Sequence, residues 1–201
     1  MKLLQEKELI WSAVVANTRM NRSRNASGVN SYEQELPFRP EQWLEERIAR
    51  NGTVKWMDLC CGEGKALVQA AAWLEQRGLQ ARAHLRGIDL IGDFPQAPAA
   101  SSLEFKMGSI VEWQPDTTYD LITCVHGLHY VGDKLQVIRT ACSALREGGL
   151  LIADLDLQNI KIEGMSNAMS WIRQEFRRQG LDYDIRKKRI TSTSPCKIDW
   201  S

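Results

Sequence analysis

From residue 54 onward the chain alternates short apolar runs with stretches of helical period. "VKWMDL" is a compact apolar segment, followed by a helical pattern from Gly64 to Arg77 that places Leu67, Val68, Ala71 and Leu74 on one face. "HLRGIDL", "LEFKMG", "YDLITCV" and "LLIADLD" predict four more strands, and "DKLQVIRTACSALREGG" predicts a capped helix ending at glycine. Between the second and third strands, "IGDFPQAPAASS" carries Pro95 and Pro98 and predicts no long helix. Apolar strands that alternate with helices are buried on both faces, which calls for a largely parallel sheet between two helical layers.

The two ends depart from this alternation. Leu3, Leu4, Leu9, Ile10, Trp11, Val14 and Val15 fall at helical spacing, and Pro40 opens a second helix, "PEQWLEERIAR", stopped by Gly52. Between them "NTRMNRSRNASGVNSYEQELPFRP" has no period and exceeds an ordinary connection, a length typical of lids and binding loops. After residue 160 a helix is expected from Ser166 to Arg178, with Gly180 as its stop. "LDYDIRKKRITSTS" then alternates like an exposed strand, and "CKIDW" is expected to pair with it antiparallel across a turn at Ser194 and Pro195. The chain thus reads as a single domain over 1–201, with N-terminal helices and a lid in 1–52 and a ligand-binding core in 53–201.

Composition narrows the function classes. A chain of 201 residues with 43% apolar content can bury one real core. Its formal charge of +1 argues against a broad nucleic-acid surface. The basic run Arg186, Lys187, Lys188, Arg189 falls on a predicted edge strand, where lysines guard against strand pairing, and only Tyr183 is near it for base stacking. Nucleic acid is therefore not an expected partner. No apolar run is long enough for a membrane span, and Glu6 and Glu8 interrupt the N-terminus where a signal peptide needs apolar residues. A cytoplasmic protein without a membrane partner is the expectation. The five cysteines are odd in number and their only close pair, Cys60 and Cys61, is vicinal, so neither a disulfide framework nor a metal site is expected.

The candidate chemistry begins at "MDLCCGEGKAL". A strand ending in an acid, a glycine turn and a helix are how a nucleotide-like ligand is held at the carboxyl edge of a parallel sheet. The dinucleotide pattern G-x-G-x-x-G fails because Leu67 takes its third glycine, and a phosphate loop fails because Ala66 follows Lys65. The stretch is instead similar to the D-x-G-x-G-x-G loop of the class I S-adenosylmethionine-dependent methyltransferases. "GIDL", "KMGSI", "YDLITCVHGLHYVGD" and "LREGGLLIADLD" follow in that family's order over residues 54–156. The resemblance implies a seven-stranded Rossmann-like α/β sandwich, order 3-2-1-4-5-7-6 with the last strand antiparallel, and S-adenosyl-L-methionine as cofactor.

Carried over by position, the resemblance places Asp58, Cys60, Gly62 and Gly64 around the methionine part of the cofactor. It gives Asp89 the ribose hydroxyls, which a carboxylate with two acceptor oxygens can take together. Leu90, Ser109 and Ile110 would frame the adenine. Cys124, Val125 and His126 would line the sulfonium and face the acceptor. Two positions depart from the family pattern: Cys60 stands for the loop's first glycine, and Ser109 for the frequent acid at the adenine.

His126 and His129 are the candidate proton acceptors, should the acceptor need to lose a proton; His129 equally fits a loop-supporting role. Arg22, Arg24, Asn30 and Tyr32 are the candidate lid residues. The expected acceptor is a small molecule. The competing readings are an inactive cofactor-binding scaffold, an RNA methyltransferase and an NAD-dependent oxidoreductase.

Overall fold

The apolar runs at 54–59 and 119–124 lie side by side at the centre of one sheet, where both faces need cover. In the structure, a computed structural model describing residues 23–95, 102–160, 162 and 168–200, they are strands β1 (Val54–Leu59) and β4 (Tyr119–Cys124). β2 (Ala83–Asp89) and β3 (Leu103–Met107) extend the sheet on one side. β5 (Leu145–Asp154), β6 (Asp182–Asp184) and β7 (Arg189–Ser192) extend it on the other. The order is β3-β2-β1-β4-β5-β7-β6 in a 7-stranded sheet. Pairing is parallel from β3 through β5, and β7 is antiparallel to both β5 and β6. The expected order and the antiparallel last strand are both present.

The helices are α1 (Tyr32–Glu35), α2 (Pro40–Asn51), α3 (Lys65–Glu75), α4 (Lys134–Ser143) and α5 (Ala168–Arg178). Strand alternation divides their contacts. Val54, Trp56 and Leu121 pack with Leu44 and Ile48 of α2 and Leu67 and Leu74 of α3. Met57, Leu59 and Ile122 pack with Val137 and Ile138 of α4 and Ile172 and Phe176 of α5. Trp56 is fully buried, so truncating it to alanine is expected to cost about 3–5 kcal/mol.

Four expectations need correction. Val68 is 36% exposed while Ala66 and Ala70 are buried, because the buried stripe of α3 runs through Ala66, Leu67, Ala70 and Leu74. α4, capped by the Asp133 side chain on the Gln136 amide, ends at Ser143; Leu145 already pairs with Tyr119, and Gly148 and Gly149 lie inside an irregular start of β5. The C-terminal hairpin is made within "LDYDIRKKRITSTS" itself, as β6 and β7, and residues 195–200 form no strand. Its turn takes Lys188 at φ 50° and the Asp184 carboxylate on the Arg186 and Lys187 amides, an acid-headed turn the alternation concealed. Arg189 is consequently buried on β7 rather than lying on an exposed edge. The predicted N-terminal helix, Arg22 and Ser166 lie outside the described residues.

Candidate functional site

Three strands of the parallel sheet end in acids at its carboxyl edge: Asp58 on β1, Asp89 on β2 and Asp154 on β5. Beyond β1 the backbone turns left-handed at Cys60 (φ 58°), Gly62 (φ 60°) and Gly64 (φ 70°) before α3 starts. Gly64 is required twice over, since a Cβ there would stand 2.3 Å from the Phe105 ring. The turn is tied to the neighbouring strand by the Cys61 amide, which donates to the Ile88 carbonyl at 3.1 Å. The Gly62 amide donates to Asp89 Oδ2 at 2.9 Å, and the Ile91 amide to Asp89 Oδ1 at 3.0 Å. These two amides fix the half-buried carboxylate in orientation at the edge.

Asp58 has a different setting. It is completely buried; Thr123 Oγ1 donates to one oxygen at 2.6 Å and the Tyr32 hydroxyl to the other at 2.8 Å. Thr123 in turn receives the Trp56 indole N–H at 2.8 Å. Burial raises the Asp58 pKa to about 7 against the pull of those two hydroxyls. Burial, followed by the charge of Asp58, pushes the Tyr32 phenol well up. Asp58 is thus a hub that joins β1, β4 and α1.

α1 closes over the edge as the end of a strap from residue 23 to residue 39. Gln69 of α3 accepts the Ala26 and Ser27 amides, and Asn30 (φ 51°) turns the strap with its amide group on the Ser23 carbonyl. One turn on from Tyr32, Glu35 lies 2.7 Å from Arg24 and 3.1 Å from His126 Nε2. The lid candidates therefore divide: Tyr32 reaches the site, Arg24 reaches it through Glu35, and Asn30 shapes the strap.

His126 leaves β4 with φ 58°, and its amide donates to Asp154 Oδ2 at 3.3 Å. Its Nδ1 lies 3.7 Å from the same oxygen, so the imidazole sits between Glu35 and Asp154. Burial pushes Glu35 up, but the hydrogen bonds from His126 and Arg24 outweigh it and its pKa falls. Ligand-capable atoms of Glu35, His126 and Asp154 lie within 4.8 Å of one another, a spacing a cation could use. Arg24 on Glu35 and Arg189 on Asp154, at 3.3 Å, already supply the balancing positive charge, so the cluster is built as an ion-pair clamp on the imidazole. His129 stacks 6.2 Å from His126, and burial, then the charge of His126, lowers its pKa.

The remaining sequence candidates are spread around this edge. Leu90 is half-buried beside Asp89, and Ser109 uses its hydroxyl to accept the Val111 amide at 3.2 Å. Ile110 is in the core with Ile88 and Trp113. Cys124 and Val125 are buried, one on each face of the sheet. Sequence reasoning missed Glu35, Thr123, Asp154 and Arg189. Asp154 and Thr123 left a signal, a polar residue in an otherwise apolar strand; Glu35, inside an aperiodic stretch, left none.

A glycine turn anchored on Asp89, with left-handed backbone at Gly62 and Gly64, fits a nucleoside-bearing cofactor passing close to the main chain. Comparison with known proteins agrees. A family profile described as a methyltransferase domain matches residues 25–187. A ubiquinone biosynthesis O-methyltransferase of Marinobacter nauticus is 28% identical over 131 residues, 59% of this chain and 50% of that protein. The chain thus spans about half the length of that curated relative. Among solved structures, the magnesium protoporphyrin IX methyltransferase of Synechocystis PCC 6803 is similar at TM-score 0.51 and 15% identity, covering 92% of this chain and 90% of that one. The CMeT domain of the citrinin polyketide synthase is similar at TM-score 0.52 and 15% identity, over 78% of this chain and 52% of its own. With the profile covering most of the chain and the strand order that of its fold, the protein belongs to the class I S-adenosylmethionine-dependent methyltransferase family.

Proposed function

We propose that the protein transfers a methyl group from S-adenosylmethionine to a small-molecule acceptor seated beside His126. The observation that carries this reading is the shared edge. Asp89 stands at the end of β2 and the glycine turn at the end of β1, and the clamped imidazole leaves β4, next to the turn and two strands from Asp89, with Asp154 of β5 on its far side. When bound, the cofactor supplies a methyl group on a sulfonium leaving group.

The chain's own work is then placement. Asp89 would hold the ribose hydroxyls, with Gly62 and Ile91 keeping its carboxylate in line. The left-handed backbone from Cys60 to Gly64 would pass along the methionine part, with Cys124, Val125 and His126 near the sulfonium. Leu90, Ser109 and Ile110 would frame the adenine. Tyr32 and Glu35, one helical turn apart, would shield the site from water, since well-oriented reactants gain effective molarities of ~10⁵ M or more. His126 would accept the acceptor's proton at Nδ1, whose 3.7 Å separation from Asp154 is longer than a hydrogen bond, with Glu35 on Nε2 and Asp154 nearby stabilising the imidazolium that forms. The relative named an O-methyltransferase supports an oxygen acceptor, whose hydroxyl must lose a proton.

The test is incubation of the protein with methyl-labelled S-adenosylmethionine and a fractionated cell extract. The proposal predicts label in the low-molecular-weight fraction, lost at least 100-fold in His126→Ala, while S-adenosylhomocysteine affinity changes less than threefold. Label confined to the RNA or protein fraction contradicts the small-molecule acceptor. No transfer to any fraction, with binding intact, contradicts the enzyme reading.

A further inference from the structure

Cys60 is an anomaly of the cofactor turn. A left-handed backbone is disfavoured for an L-residue with a Cβ, and Cys60 adopts it at φ 58°. Strain of this kind persists where the surroundings demand it, and here they include a second thiol. Cys124, the last residue of β4, faces Cys60 across the end of the β1–β4 pairing, with the two thiols close to each other. Gly127 confirms the approach: a Cβ built there would lie 2.8 Å from each of the two sulfurs and 2.4 Å from the Cys60 Cβ. Gly127 thus leaves the space in which both sulfurs sit. Cys60 is partly exposed and Cys124 buried, which gives a small oxidant one point of entry and one resolving partner.

We propose that Cys60 and Cys124 are a thiol-oxidation site that closes to a disulfide and so switches off cofactor binding; this rests on the reading of the turn as the cofactor site. With a peroxide as oxidant, the Cys60 sulfur attacks one peroxide oxygen, the O–O bond breaks, and a sulfenic acid and one water form. The Cys124 sulfur then attacks that sulfenic sulfur, the S–S bond forms, the S–O bond breaks, and a second water leaves. Two thiols lose two hydrogens and two electrons in all, and one peroxide takes them up. The hydrogen bond to Cys124, followed by burial, pushes the Cys60 thiol well above its ordinary value, so the reaction is slow at neutral pH and quickens as pH rises. The new bond pins the turn against β4 where the methionine part of the cofactor must pass.

Treatment of the full chain with hydrogen peroxide, followed by digestion without reductant, tests the site. Mass spectrometry should show a peptide joining residues 60 and 124 and lighter by two hydrogens. Affinity for S-adenosylhomocysteine, read by calorimetry, should fall at least tenfold on oxidation and return with a phosphine reductant. In Cys60→Gly and separately in Cys124→Ala, the ratio of oxidised to reduced affinity should be near one, whatever each variant's own affinity. A bond at 60–61 or 142–196 instead overturns the proposal, as does a 60–124 bond that leaves affinity unchanged. Failure of the reduced wild type to bind S-adenosylhomocysteine would instead sink the cofactor reading, since bond formation is read by mass alone.

Discussion

The two edges of the sheet are made by the same strands yet hold their acids in opposite ways. At the amino edge Asp120 is buried beside cations: Arg146 donates to it at 3.2 Å and Arg47 lies 4.0 Å away, the Lys55 backbone amide donates at 2.8 Å, and nearby Arg86 bridges Glu104 and Asp116. At the carboxyl edge Asp58 takes only hydroxyl donors, Asp89 is held by two amides, and Asp154 has its amide and guanidinium contacts at 3.3 Å each. The backbone differs as well. The left-handed residue at the start of β5 is a glycine, Gly148, whereas the carboxyl edge forces Cys60 and His126 into that region. A fully buried acid held by hydroxyls, an acid fixed by backbone amides and strained non-glycine backbone collected at one edge mark it as the working face.

This contrast can be broken most sharply with two glycines. Gly64→Ala puts a Cβ 2.3 Å from Phe105 at φ 70° and is expected to lower S-adenosylhomocysteine affinity more than 100-fold, or to unfold α3's entry. Gly148→Ala, at φ 67° with open space around it, should cost only about 1–2 kcal/mol in denaturant unfolding and leave affinity unchanged. Next in size, Asp89→Ala removes a charged acceptor worth about 1.5–3 kcal/mol, so calorimetry should show affinity for S-adenosylhomocysteine falling by roughly 10- to 100-fold.

Asp58 gives an effect on pH dependence. Its folded pKa of about 7 lies above the ordinary 3.8, so the folded state keeps a proton that the unfolded chain releases. That contribution is whole below about pH 4 and is lost as pH rises toward 7, with a limiting slope of about 1.4 kcal/mol per pH unit. Asp58→Asn should remove this decline in denaturant titrations run from pH 4 to 7; an unchanged slope would contradict the burial account. Tyr32→Phe leaves one Asp58 oxygen short of a donor and should cost about 1–3 kcal/mol of unfolding free energy.

The core was legible in the sequence because its strands are continuous apolar runs bounded by glycine and acid, as at "VKWMDLCCGEG". The succession of such landmarks carried the family resemblance, and that resemblance implied the strand order the structure has. The hairpin was misplaced because Asp184 heads its turn without a proline or a glycine, so a bent segment kept the alternation of a straight one. At the site, Asp89 and the glycine turn could be read locally. Glu35 could not, because its meeting with His126 spans 91 positions and depends on how the strap folds back over β4. Buried Cys124 shows the converse: position in a motif names a neighbourhood, while strand alternation decides which way a side chain points.

The account stands or falls on whether the carboxyl edge binds the cofactor through Asp89 and the turn beside it. Calorimetric titration of the full chain, reduced, with S-adenosylhomocysteine and then with NAD tests this directly. The account predicts one site for S-adenosylhomocysteine, weakened at least tenfold in Asp89→Ala, and no heat with NAD. NAD binding without S-adenosylhomocysteine binding, or affinity for the latter unchanged in Asp89→Ala, would contradict it.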